Sequence, residues 1–179
     1  MLIRSFIALT LSDDIKKYLD VVVADFKRLG IKVSWTKPGN FHLTLKFLGD
    51  IDDSSVPLVT DSLEKVSLGL PSKCKLTSIS AFPNRSRPRV IWYGIQDNIS
   101  ENLYQQIQNI CRKLGFQRDS KPFKPHLTLG RVKGERMDIS SLLDKYSDKK
   151  VAGQFESLCL FRSDLSTAGP RYTPLWEKE

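Results

Sequence analysis

The chain has 179 residues, 40% of them hydrophobic and 27% charged, enough to bury a working core without disulfides or a structural metal. Its 28 lysines and arginines against 20 acidic residues give a net charge of +8, which favours anionic partners such as nucleic acid or other phosphate compounds. The composition excludes a disordered or collagen-like chain, and no run approaches the ~18 consecutive apolar residues of a membrane span.

Cys74, Cys111 and Cys159 are odd in number, far apart and without a CxxC, which argues against a disulfide framework and a cysteine-based zinc site. They suit a reducing cytoplasm. The apolar N-terminus is interrupted by Arg4 and followed by no small-residue cleavage site, so it reads as a strand rather than an export signal.

In chain order, residues 2–9 alternate as a half-buried strand. Ser12 then caps a helix whose Ile15, Leu19, Val22, Val23, Phe26 and Leu29 recur at helical spacing up to Gly30. KVSW is a short strand, TKPGN a turn, and FHLTLKFLG a strand that Gly49 closes. Pro57 opens a second helix, with Val59, Leu63 and Val66 as its apolar stripe. The strands KCKLTSISAF and RVIWYGI flank a basic turn, PNRSRPR. A third helix carries Ile99, Leu103, Ile107, Ile110 and Leu114 on one face and stops at Gly115. After the linker FQRDSKPFKP comes the strand HLTLGRV. A short helix around Ile139, Leu142, Leu143 and Tyr146 precedes FESLCLFRSDL, and TAGPRYTPLW returns as its hairpin partner. Strands paired through turns favour α+β over a doubly wound parallel sheet.

The tetrapeptide HLTL occurs twice, and the chain's two histidines, His42 and His126, each open one copy. The copies stand 84 positions apart, close to half the chain. Each follows a strand and a long amphipathic helix, which points to an internal duplication with two related lobes. Along a strand His42 and Thr44 share one face and Leu43 and Leu45 the other, and the same holds for His126 and Thr128 against Leu127 and Leu129. Each motif is thus a polar pair on an apolar footing.

Two imidazoles can serve transfer at phosphorus, one neutral and taking a proton from the attacking oxygen, the other protonated and giving one to the departing oxygen. The threonine hydroxyls can donate to non-bridging phosphate oxygens. A lone histidine on a strand is more often a hydrogen-bonded structural residue. Two copies that hold every histidine and repeat the same polar partner favour chemistry. A metal site would need a third ligand, and neither motif offers a Cys, Asp or Glu on its histidine face.

NFHLTLKFLGD and FKPHLTLGR, with RSFIAL, VSW, RPRVIWYGI and GPRYTPLW around them, resemble the two-histidine phosphoesterases. Within these the chain is most similar to the RNA 2′,3′-cyclic phosphodiesterases, also known as 2′-5′ RNA ligases. The resemblance covers nearly the whole chain. It implies one domain over residues 1–179, α+β and bilobal with a pseudo-twofold axis, its two antiparallel sheets facing a central cleft and its helices outside. The implied reaction opens a terminal 2′,3′-cyclic phosphate on RNA to a 2′-phosphate, without metal or cofactor, and in some relatives runs in reverse to join tRNA halves. His42 and His126 would be acid and base, in that order by resemblance, and Thr44, Thr128 and Arg131 would hold the phosphate.

Strict alternation puts Arg131 on the leucine face, and a bulge at Gly130 would turn it into the cleft. The equivalent place in the first motif is Phe47. Lys121, Lys124, Arg131, Lys133 and Arg136 form one basic group and Arg85, Arg87 and Arg89 another, both suited to a single-stranded backbone. Trp35, Phe41 or Phe123 could stack on a terminal base. The expected partner is RNA with a 2′,3′-cyclic phosphate end, tRNA halves included, met by a cytoplasmic monomer. Two other readings stay open: a module that grips phosphate ends without turnover, and a phosphodiesterase for small cyclic nucleotides.

Overall fold

The computed structural model of the chain describes residues 1–28, 30–134, 138–146, 151–166 and 169–179. Leu29, expected on the first helix, Arg136, expected in a basic group, and Thr167 and Ala168, expected at the start of the last hairpin strand, lie outside the described residues. Among the described residues eight strands and four α-helices run in the order β1 (Leu2–Leu11), α1 (Asp13–Lys27), β2 (Val33–Trp35), β3 (Leu43–Asp52), α2 (Val56–Leu63), β4 (Ser72–Phe82), β5 (Val90–Asp97), α3 (Ser100–Lys113), β6 (His126–Val132), α4 (Ser140–Asp144), β7 (Ala152–Asp164) and β8 (Arg171–Lys178).

All the strand pairs are antiparallel and belong to one sheet ordered β1-β3-β6-β5-β4-β7-β8, with β2 added on β6. Because β7 also pairs with β1, the first six strands close into a ring. Where the sequence implies two sheets, the hydrogen bonding therefore links every strand into one. The links between halves are narrow. β3 meets β6 through Leu43↔Leu127, and β4 meets β7 through Ser72–Lys75 against Ala152–Phe155.

Local sequence explains most elements. Ile15, Leu19, Val22, Val23 and Phe26 put one buried face on α1, which packs against β7. Ser12 occupies the N-cap of α1 without a side-chain cap. Its hydroxyl instead accepts the amide of Gln154 at 3.1 Å, fastening the strand-helix corner to β7. β1 is buried on both faces over Phe6–Leu9 rather than half-buried, because Ile7 and Leu9 enter the core while Phe6 on the other face is covered by the rings of Phe161 and Tyr172. The buried face of α3 comprises Leu103, Tyr104, Ile107, Gln108 and Cys111, rotated from the expected aliphatic stripe; Ile99, Ile110 and Leu114 are only half-buried at its margin.

The most consequential irregularity falls on the last leucine of each HLTL. In β6, Thr128 pairs with Trp92 and Gly130 with Ile91, so Leu129 is an extra residue in the ladder. In β3, Thr44 pairs with Ala8 and Lys46 with Ile7, so Leu45 is extra at the same place. A bulge reverses the alternation beyond it. Gly130 is obligatory for a different reason: β2 crosses so closely that a Cβ there would stand 2.5 Å from Val33 Cγ1 and 2.9 Å from Trp35 Cε3. Gly130→Ala is therefore expected to cost ~1–3 kcal/mol, the range for overpacking, read as a lower denaturation midpoint. An unchanged midpoint would show that β2 can yield without cost.

Candidate active site

Leu43 and Leu127 are opposite each other on β3 and β6 and have no solvent exposure. That single pairing sets the first His-x-Thr alongside the second, near enough for the charge of His126 to act on His42. Burying the two leucines contributes roughly 1.5–3 kcal/mol apiece, and the same burial turns both His-x-Thr pairs to the opposite face. All four side chains are half-buried.

Both imidazoles are fixed by the same device. The Nδ1 of His42 lies 2.6 Å from the carbonyl of Asn40, and the Nδ1 of His126 lies 2.6 Å from the carbonyl of Lys124, two residues back in each case. A carbonyl only accepts, so Nδ1 carries the proton in both rings and Nε2 is left for chemistry. The Nε2 of His42 is 3.0 Å from Thr44 Oγ1, whose hydroxyl donates to the neutral ring.

Residues next to one motif also hold the other. Thr36, in the turn before the first motif, donates its hydroxyl to the Thr128 carbonyl at 2.8 Å and its amide to the Leu129 carbonyl at 2.8 Å. Asn40 is itself held through its side-chain amide, which donates to the carbonyl of Pro170 at 3.1 Å.

Aromatic rings enclose the histidines on separate sides. Phe6 at 4.8 Å, Tyr172 at 5.3 Å and Phe161 at 6.3 Å surround His42. Phe82 at 5.1 Å and Trp92 at 6.0 Å stand edge-on to His126. This apolar packing disfavours the imidazolium. Burial lowers the pKa of His42 to about 4, against the Asn40 carbonyl, with the like charge of His126 lowering it further. Burial likewise lowers His126, against the Lys124 carbonyl, with the charges of Lys124 and Arg131 adding to the effect.

A cleft of about 1050 Å³ opens on this face, lined by Thr44, His126, Thr128 and Arg131; His42 is outside that lining and meets it through its contact with Thr44. Arg131 reaches it because the bulge at Leu129 undoes the alternation that would have sent it behind the strand. It is exposed and close enough to influence both His126 and Tyr172. The matching bulge at Leu45 brings Phe47 into the same cleft with 58% of its surface exposed. No glycine marks that second bulge in the sequence, so Phe47 is legible there only as Arg131's counterpart.

Of the basic residues read from the sequence, Lys121, Lys124, Arg89 and Arg131 line the cleft. Arg85 does not: it pairs with Asp144 at 2.7 Å and donates to the Ser140 carbonyl. Among the aromatic candidates Phe123 lines the cleft, whereas Phe41 is 2% exposed in the core and Trp35 packs on Phe26 at 5.8 Å. Sequence reasoning misses Phe82 and Trp92, which belong to strands whose apolar residues read simply as core. Among the described residues no three His, Cys, Asp or Glu side chains stand close enough together to hold a metal ion.

The model of the family described as LigT like Phosphoesterase matches residues 9–92 and 94–172, one HLTL in each segment. The chain is 32% identical to the RNA 2′,3′-cyclic phosphodiesterase of Archaeoglobus fulgidus, over 96% of this chain and 97% of that one. It is 32% identical to the enzyme of the same name from Methanocaldococcus jannaschii, over 97% and 99%. The crystal structure of a Thermus thermophilus protein shares the fold with a TM-score of 0.79 at 24% identity, covering 97% of this chain and 96% of that one. E. coli LigT complexed with 3′-AMP does so with a TM-score of 0.75 at 22% identity, covering 99% and 98%. With both family segments matched and each carrying its His-x-Thr pair to a common seam, the chain belongs to the LigT-like phosphoesterases of the two-histidine superfamily.

Proposed function

We propose that this protein hydrolyses the terminal 2′,3′-cyclic phosphate of RNA to a 2′-phosphate, with His42 and His126 as the acid-base pair. The carrying observation is the Leu43↔Leu127 pairing, which brings both His-x-Thr pairs to one seam. Water attacks phosphorus in line with O3′, and His126 Nε2 takes its proton as the P–O bond forms. The P–O3′ bond breaks as His42 Nε2–H protonates the departing oxygen, leaving a 3′-hydroxyl and a 2′-phosphate. Thr44, Thr128 and Arg131 hold the non-bridging oxygens and stabilise the charge that grows on them. Run backwards, the same steps with a ribose hydroxyl in place of water would join RNA through a 2′-5′ link.

The names of the relatives support this substrate class, as do the basic residues along the cleft. Both motifs come from one chain, so a monomer working as a single two-lobed domain over residues 1–179 has a complete site, open to tRNA halves as to other RNA ends. No described helix is long and apolar enough to cross a membrane, and the three free cysteines are buried, in keeping with a cytoplasmic enzyme.

Replacing either histidine by alanine is expected to lower turnover of a cyclic-phosphate-ended oligonucleotide by at least ~10²-fold, while chelators leave the wild-type rate unchanged. Near-normal hydrolysis by both variants would reject the assignment. The pH dependence follows from burial. The optimum of kcat/KM lies midway between the pKa values of the free acid and base. His42 stands at about 4 and His126 below the ordinary 6.5, so the optimum is expected on the acid side of 6.5. An optimum at pH 7 or above would contradict that environment. Occupancy by an anionic phosphate favours the imidazolium, so saturating a nucleoside 2′-phosphate should raise the His42 titration seen by NMR; a midpoint that stays near 4 would remove His42 as the acid.

A further inference from the structure

The segment between α3 and β6, residues 117–124, forms one wall of the cleft, and a buried lysine from the other half of the chain holds it there. Lys46 lies four residues after His42 on β3 and is 3% exposed. Its Nζ donates to Asp119 Oδ1 at 2.6 Å, to the Gln117 carbonyl at 2.6 Å and to Gln108 Oε1 at 3.3 Å. Gln108 Nε2 in turn donates to Asp119 Oδ2 at 2.5 Å. An ammonium has three donors, and all three are used. Lys46 therefore has none left for a phosphate, although it borders the cleft.

The wall that this clamp fixes carries Phe123, whose ring lies on that of Tyr104 at 4.3 Å with 10° between planes. Tyr104, Asp119, Pro122 and Phe123 line the main cleft and also an adjoining cavity of about 340 Å³. The remaining edge of that cavity is polar, with Glu101, Gln105 and Arg118. Lys121 and Lys124 are exposed on the same segment, and Lys124 Nζ stands 4.5 Å from the centre of the Trp92 ring beside His126.

We propose that the Tyr104–Phe123 stack and the adjoining cavity form a subsite for the nucleotide immediately 5′ of the terminal one, locked in place by the Lys46–Asp119 ion pair. It rests on the reading that the cleft takes an RNA end. A flat pair of rings offers a face for any base, and amide, carboxylate and guanidinium groups beyond it match the donors and acceptors on a base edge. The carboxylates there suit a base rather than a phosphate, and Asp119 is already neutralised by Lys46. The linking phosphate is left to Lys121 and Lys124, between this wall and the histidines. Lys46 acts on the substrate only through the segment it holds, as a positioning residue.

The test compares the affinity of a trinucleotide ending in a 2′-phosphate with that of the nucleoside 2′-phosphate, by titration calorimetry. Wild-type protein should bind the trinucleotide at least ~5-fold more tightly, the lower end of what one stacked base contributes. Phe123→Ala and Lys46→Gln should each lower that ratio by at least ~5-fold, leaving only what Lys121 and Lys124 gain from the linking phosphate, while Phe123→Trp retains it. Melting temperatures establish that the variants are folded, and Phe123→Ala carries the test if Lys46→Gln is not. No length gain in the wild type, or a full gain in folded Phe123→Ala, overturns the subsite. Absence of cyclic-phosphate hydrolysis by a wild-type protein that shows the length gain would instead overturn the proposed reaction and leave the subsite standing.

Discussion

The candidate site depends on one contact between two apolar side chains. Leu43 and Leu127 face each other at the only described point where β3 meets β6, and both are fully buried. Their burial fixes which way each strand faces, because a slip of one residue would turn every side chain over. The seam is short, yet the core on one side and the crossing bonds from Thr36 on the other leave little freedom in its register. Side chains mounted on or beside these strands inherit that rigidity, which a loop could not give them.

Much of this is legible in the sequence, for identifiable reasons. The histidines stand out because the chain has two and both open the same tetrapeptide, and strand alternation then separates His-x-Thr from the leucines. Gly130 flags its bulge because a glycine inside a strand usually marks a distortion of the ladder or a close backbone approach. What stays hidden is set by partners distant in the chain. Nothing near Leu45 announces a bulge, since the residue that follows is a lysine. Lys46 itself reads as an exposed strand residue until Gln108, Gln117 and Asp119 are seen to converge on it. The face of α3 differs from its aliphatic stripe for the same reason: Gln108 is buried because it completes that cluster, and Tyr104 because it carries Phe123. Closure of the sheet is beyond sequence reasoning, as it depends on β7 pairing with β4 along one stretch and β1 along the next.

The two halves repeat a plan and then depart from it at one position. After each bulge the first residue is Lys46 in one strand and Gly130 in the other, and each choice answers a local demand. Glycine leaves room for β2 to cross within van der Waals distance. Lysine reaches outward to fasten the wall that leads into the second motif. One residue further on, the same divergence brings Phe47 from one strand and Arg131 from the other into the cleft. The two bulged strands thereby bring an apolar surface and a cation to one cleft.

The carbonyls behind the two imidazoles have a consequence for how such a catalyst returns to its starting condition. In the proposed reaction each cycle leaves the former base carrying a hydrogen and the former acid without one. With Asn40 and Lys124 occupying the rear nitrogens at 2.6 Å, neither ring can pass that hydrogen backward into the protein. Recharging must take place on the solvent side, after product has left room for water, so regeneration and release share a single doorway.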